Sequence, residues 1–378
     1  RLLAVWLSLV VVGLELGLRL IGFSNYWAFS RTPDPYRGFK PMAGVSARQM
    51  AEGDAWVRIN SVGFRDREWT AKAEGVHRIA VLGDSFTEAV QVPVERTWWR
   101  VLEGRLRACG YRGGEVEVLN FAVSGYSTAQ ALETLRREVP AHGADEVLLA
   151  FFVGNDVAEN HPDLNPDPVR PYLLPTEDGW VMDYGFREHP SYTRRIGVAG
   201  RLYRDLVPHS RLIQAVSYLL DLHTVMGMRG GEQARWYWEP GIDARVYAPP
   251  RDPQWRQAWA ATAELLRRLD RESRRQGASL RLVSVSSGVQ VHPDRRGPDA
   301  LARRLAVPDL FYPEWWLSRT ADELGIRYLA LAPALSERAR REGAFFHGLD
   351  GASGTGHWNA QGHDAAARLV ADALCRDP

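Results

Sequence analysis

Apolar and polar positions along this chain fall into blocks that predict different elements. Leu2 to Leu14 carries no charge, and apolar character continues through Leu16, Leu18, Leu20, Ile21 and Phe23. A bilayer-spanning helix needs about 20 predominantly apolar residues, and this stretch meets that if Glu15 and Arg19 pair at i, i+4 on one face. No small-x-small cleavage pattern follows, so residues 1–23 are expected to be an uncleaved signal anchor, with a buried amphipathic helix as the other reading. Residues 24–56 are rich in Pro, Gly, Ser and aromatics without a sustained period, so 24–76 is expected to be a connecting segment on the domain surface.

From His77 the pattern becomes regular. Arg78-Ile-Ala-Val-Leu82 predicts a strand, and the amphipathic stretch from about Pro93 to Cys109 a helix. Val116 to Leu119 reads as a second strand, Thr128 to Arg137 as a helix, and Glu146 to Val153 as a strand buried on both faces. Residues 157–252 break the rhythm with Pro162, Pro166, Pro168, Pro171, Trp180, Tyr184, Trp236, Tyr237 and Trp238, and are expected to be an insertion with one helix near Ser210 to Leu222. Alternation returns with a helix from about Pro253 to Gln276, a strand Leu280 to Ser286, a helix near Pro313 to Leu324, a strand Ile326 to Leu331 and a last helix Asn359 to Leu374. Repeated βα units imply a parallel sheet, hence an α/β domain over residues 77–378 carrying the insertion.

Composition changes this picture little. Hydrophobic residues make up 45% and charged residues 25% of the 378, as in an ordinary globular protein. A net charge of +1 and a pI near 8.0 supply no field to attract phosphates, which argues against a nucleic-acid partner. The arginines alternate with acids, as in Arg267-Arg268-Leu269-Asp270-Arg271-Glu272, and read as a solvated helix face. Cys109 and Cys375 lack C-x-x-C spacing, so neither a disulfide framework nor a zinc site is signalled, and a single bridge would need an oxidising compartment.

The candidate chemistry sits at strand ends. Gly83-Asp84-Ser85 follows the first strand, Asn120-Phe-Ala-Val-Ser-Gly125-Tyr the second, and Gly154-Asn155-Asp156 the third. In open α/β sheets ligands bind outside the carboxyl ends of strands. Acyl transfer needs donors aimed at the oxygen that becomes negative, and a Gly125 backbone N–H with an Asn155 amide would serve. Turn chemistry alone accounts for each residue singly, since Gly125 can be a positive-φ position and Asn155 an Asx turn. Gly356-His357-Trp358-Asn359 precedes the last helix, where Asn359 can cap and His357 is free to face the sheet edge. Imidazole is suited to take the proton of a serine hydroxyl near neutral pH. His363 falls in the first turn of that helix and reads as a surface or packing residue.

With these blocks in the order Ser85, Gly125, Asn155 and His357, the chain resembles the SGNH/GDSL hydrolase superfamily over residues 77–156 and 280–374. Arg58-Ile-Asn-Ser-Val-Gly-Phe-Arg-Asp66 resembles the segment preceding the first block in membrane-anchored bacterial members. The resemblance implies a flavodoxin-like three-layer α/β/α fold and ester hydrolysis or acyl transfer without a metal or other cofactor. The chain departs from it in one respect: the Asp usually found two or three residues before the histidine is replaced by Thr355 and Gly354. Asp350 could loop back to orient the ring, a main-chain carbonyl could do so, or Asp350 is only a turn residue.

The function expected is therefore a serine esterase or deacylase outside the cytoplasmic membrane, in periplasm or at the cell surface. Its substrates would be acyl esters, O-acetylated envelope glycans among them if the insertion aromatics stack sugar rings rather than pack. An O-acyltransferase of surface glycans and a non-catalytic envelope binding module with a degenerate site are the alternatives. A carboxylate or carbonyl at the His357 ring would favour the enzyme.

Overall fold

The computed structural model describes residues 1–165, 167–229, 239 and 241–376. Its centre is a sheet of β1 (His77–Leu82), β2 (Val116–Asn120), β3 (Glu146–Phe152), β4 (Ser279–Val285) and β5 (Arg327–Ala330), ordered β5-β4-β3-β1-β2 with every pairing parallel. This is the doubly wound order in which the chain moves outward from β1 to β2 and then crosses to β3 on the other side. A crevice opens where the direction reverses, at the carboxyl ends of β1 and β3. Ser85 and Asn155 follow those two strands.

The main helices are α1 (Leu2–Leu20), α2 (Trp98–Ala108), α3 (Thr128–Arg137), α4 (Pro253–Arg275), α5 (Tyr312–Leu324), α6 (Ala332–Glu342) and α7 (Ala360–Arg376). Strand side chains alternate between two cores. Ala80, Leu82 and Leu149 join Leu132 of α3, Leu265 of α4 and Leu317 of α5 on one face. Ile79, Val81 and Leu148 join Leu102 of α2, Leu335 of α6 and Val370 of α7 on the other. The result is the three-layer α/β/α arrangement. Helix α6 was not foreseen, because Pro333 and a run of small and charged residues leave it few large apolar positions.

The segment 24–76 differs from the surface connector expected. Ser46–Gln49 and Ala55–Arg58 pair as an antiparallel hairpin, and Tyr26, Ala47, Val57 and Ile59 are buried in a small core of their own with Val90. Strands of this length are too short for their alternation to stand out in sequence. The cysteines also differ from expectation: Cys109, just past α2, is bonded to Cys375 in the last turn of α7, across a sequence separation of 266. Neighbouring helix ends bring them together, which spacing along the chain does not reveal.

In the insertion, Tyr172–Thr176 pairs with Gly179–Asp183, and the helices Pro190–Ile196, Val198–Leu206 and Arg211–Arg229 follow. Trp180 packs against the first core and Tyr184 against Val169, Phe186 and Tyr192, so both aromatics serve packing. Pro166, Trp236, Tyr237 and Trp238 lie outside the described residues.

Helix α1 is long and apolar enough to cross a membrane, with a hydropathy of 1.9 and none of its apolar window buried. The pair read from spacing forms, Arg19 Nε donating to Glu15 Oε1 at 2.7 Å.

Candidate active site

The sharp exit from β1 sets the position of Ser85. Asp84 Oδ1 accepts the Phe86 N–H at 3.0 Å and caps the single helical turn Ser85–Glu88, of which Ser85 is the first residue. That turn is held from behind by the Arg58–Asp66 block. The buried Arg65 guanidinium donates through Nη1 to Glu88 O at 2.8 Å and to Ala89 O, and through Nη2 to Val92 O at 2.6 Å. Burial pushes Arg65 down to about 10, which leaves it charged at neutral pH. Glu88 completes the brace: Oε2 accepts the Ser124 N–H at 2.7 Å and Oε1 the Tyr26 hydroxyl. The N-terminal segment thus buttresses the serine turn.

His357 arrives from the opposite end of the sequence, in the loop before α7. Asn359 Oδ1 caps that helix by accepting the Gln361 and Gly362 N–H groups at 3.0 Å. The loop is pinned by His347, whose Nδ1 donates to Gly356 O at 2.7 Å. Burial pushes His347 down to about 4, so its ring is neutral near pH 7. His357 Nε2 lies 2.8 Å from Ser85 Oγ. Its other nitrogen, Nδ1, lies 2.5 Å from Glu52 Oε2, and its backbone N–H donates to Glu52 Oε1 at 3.0 Å. One carboxylate thus fixes both ring and backbone. The network assigns the tautomer: Nδ1–H donates to Glu52, leaving the Nε2 lone pair to accept the serine hydroxyl.

Glu52 sits at the turn of the Ser46–Arg58 hairpin, and no motif announced it. Its approach depends on two glycines. A Cβ on Gly356, which has φ +80, would lie 2.6 Å from Glu52 Oε1, and one on Gly53, with φ +72, would lie 2.4 Å from Gln91 O. Asp350, the candidate for orienting His357, instead accepts the Gly53 N–H through Oδ2 at 2.7 Å and holds the Glu52 turn in place. The signal available in sequence was negative: with Gly354 and Thr355 where an acid is expected, a ring partner had to come from elsewhere.

The two remaining site candidates are tied to each other by one buried ion pair. Asn155 Nδ2 donates to Glu159 Oε1 at 3.3 Å, Glu159 Oε2 pairs with Arg170 Nη1 at 3.1 Å, and Arg170 Nη2 donates to Gly125 O at 3.3 Å. Gly125 itself has φ +79, as a positive-φ position requires. His363 is apart from this constellation. It is buried, its Nδ1 accepts the Trp98 N–H at 3.4 Å, and burial pushes it down to about 3, so it packs as a neutral ring.

Electrostatically the site favours a cation on His357. Burial opposes that charge, but the field and hydrogen bond of Glu52 outweigh it and hold the ring above its ordinary pKa, with Asp84 and Glu239 adding to the effect. Burial likewise raises Asp84 to about 7 and Glu239 to about 8. A Ser-His pair with a carboxylate on the far nitrogen can deprotonate a hydroxyl and store the proton, which is the chemistry of nucleophilic acyl transfer.

No family model matches the chain. An arylesterase from Vibrio mimicus is 23% identical over 184 residues, covering 48% of this chain and 86% of the relative. Among solved structures, the acetyl xylan esterase AlAXEase aligns over 78% of this chain and 98% of its own at 12% identity and TM-score 0.41. A lipase/acylhydrolase from Enterococcus faecalis aligns over 79% of this chain and 96% of its own at 14% identity and TM-score 0.38. The parallel five-stranded sheet and the order Ser85, Gly125, Asn155 and His357 agree with the three-layer α/β/α fold that the sequence resemblance implied, and the chain is similar to the arylesterase over about half of its length.

Proposed function

We propose that the chain is a serine esterase or deacylase in which Ser85 is the nucleophile, His357 the general base and Glu52 the residue that positions the ring. The observation that carries this reading is the continuous relay from Ser85 Oγ through His357 to Glu52. Ser85 Oγ attacks the acyl carbonyl while its proton passes to His357 Nε2. The carbonyl oxygen, now negative, is met by the Ser85 and Gly125 N–H groups and the Asn155 amide. His357 returns the proton to the departing alkoxide, then takes one from the water that hydrolyses the acyl-enzyme.

A carboxylate on the His357 ring favours an enzyme over a binding module with a relic site. The arylesterase likeness supports ester bonds as the target. The Cys109–Cys375 bond favours an oxidising compartment, and α1 favours attachment to a membrane. Together they support acyl esters of the cell envelope as the substrate class, while the packing of Trp180 and Tyr184 removes the argument for sugar-ring stacking by those two aromatics. The test is hydrolysis of p-nitrophenyl acetate by the full chain in detergent beside Ser85→Ala. Turnover lost in the variant is the expected result, and a folded wild type no faster than the variant would overturn the esterase reading.

A further inference from the structure

Outside α1, exposed large apolar side chains are most densely grouped on two helices of the insertion, with others such as Trp56, Val181 and Trp315 scattered singly over the surface. On the helix Val198–Leu206, the side chains Val198, Leu202 and Leu206 recur every fourth residue and stay 75%, 56% and 45% exposed. Such spacing puts them on one helix face. Val216 and Leu219 on the helix Arg211–Arg229 are also exposed. The two helices are joined at Tyr203, whose hydroxyl lies 2.8 Å from Ser217 Oγ.

This region is continuous with the base of α1. Glu15 of α1 accepts the Arg211 N–H at 3.0 Å and the Leu212 N–H at 2.9 Å, capping the second helix. Arg19 donates to His209 O, and the Phe23 ring meets Tyr218 edge-on at 6.1 Å. The charge is also one-sided. Between residues 194 and 211 stand Arg194, Arg195, Arg201, Arg204 and Arg211 against a single acid, Asp205. Apolar faces interleaved with arginine are the composition of helices that lie in the interface of an anionic bilayer.

We propose that the helices Val198–Leu206 and Arg211–Arg229 form a collar that lies in the headgroup region of the anionic leaflet entered by α1. The inference rests on α1 being a membrane helix and is independent of the esterase chemistry. The collar is also coupled to the site: Val207 is buried with Tyr26, and the Tyr26 hydroxyl donates to Glu88 on the Ser85 turn. Seating the collar therefore fixes how that turn faces the bilayer.

The test uses the full chain reconstituted in vesicles of phosphatidylcholine with phosphatidylglycerol, and in phosphatidylcholine alone. Because Cys109 and Cys375 are bonded to each other, the single-cysteine variants Leu202→Cys, Leu219→Cys, Leu9→Cys and Arg319→Cys each label at one place with an environment-sensitive fluorophore. Leu9 reports α1, and Arg319, on α5, reports the aqueous face. Thermal melts exclude variants that have not folded.

Labels at 202 and 219 should be quenched several-fold more than that at 319 by nitroxide lipids, and more in the anionic vesicles. If 202 and 219 respond to aqueous iodide as 319 does while 9 responds to lipid, the collar is overturned and the anchor stands. If 9 also responds to iodide, both fall. Equal lipid quenching in the two vesicle types contradicts the anionic surface. Protection from both quenchers marks a second protein copy as the occupant and also overturns the proposal.

Discussion

Glu52 Oε2 and His357 Nδ1 meet at 2.5 Å although 305 residues separate them in sequence. The carboxylate that orients the histidine comes from a hairpin near the N-terminus rather than from the histidine's own loop. The charge follows the geometry: Glu52 supplies the field that holds the ring above its ordinary pKa against burial.

Glu52→Gln is therefore expected to change the pH profile as well as the rate. The base must be neutral, so wild-type kcat/KM should rise with pH through a midpoint above 6.5, the ordinary value for the ring. Removing the anion leaves burial dominant and should move that midpoint down, while kcat falls by roughly 10²- to 10⁴-fold. Glu52→Asp should retain part of the raised midpoint. Stopped-flow ester hydrolysis across pH checks both, and an unshifted midpoint would assign Glu52 a purely structural role.

Asn155→Ala is expected to lower kcat by about 10²- to 10³-fold with KM little changed, the signature of a donor that acts on the transition state. Steady-state kinetics on p-nitrophenyl acetate is the check. A loss confined to KM would remove Asn155 from the oxyanion side.

Arg170→Met strands the buried Glu159 carboxylate, which the pair otherwise neutralises. Breaking a buried pair by removing one partner costs about 3–5 kcal/mol. Urea unfolding should show that loss, and activity should fall at temperatures where the variant is still folded, because Gly125 and Asn155 share this pair.

Glu314 tests the linkage of burial to stability. Burial raises its carboxyl from 4.5 to about 8, and Gln290 Nε2 donates to both of its oxygens at 2.9 and 3.0 Å. Between those two pH values the folded state keeps a proton that the unfolded state releases. Its contribution to stability therefore falls as pH rises through that window and is fully lost above about 8. Glu314→Gln should flatten the decline, so its thermal midpoint should gain on wild type at pH 9 relative to pH 6. Parallel pH dependence in the two proteins would contradict the assignment.

The Cys109–Cys375 bond closes a long loop between α2 and α7. Replacing both cysteines by serine should cost about 2–5 kcal/mol, visible as a lower thermal midpoint and reproduced in wild type by a reductant.

What was legible in the sequence follows what short windows encode. The buried run Val147–Phe152 and the glycine turn after Leu82 reveal strand ends, and strand ends locate Ser85 and Asn155. Asn359 reveals the start of α7, hence the loop that carries His357. Glu52 was not legible, since its place depends on a tertiary approach that Gly53, Gly356 and Asp350 permit and that no local pattern records. The same holds for Cys109 and Cys375, and for Arg65, whose three carbonyl partners lie in the turn beyond Ser85. The four-residue strands of the hairpin hid the segment that supplies Glu52.

The most direct test of the account is labelling of the folded full chain with a fluorophosphonate, followed by peptide mass spectrometry. The account predicts one adduct, on Ser85, formed rapidly in wild type, slowly in Glu52→Gln, and absent in Ser85→Ala. An adduct on another residue, or equal labelling of wild type and Ser85→Ala, would contradict it.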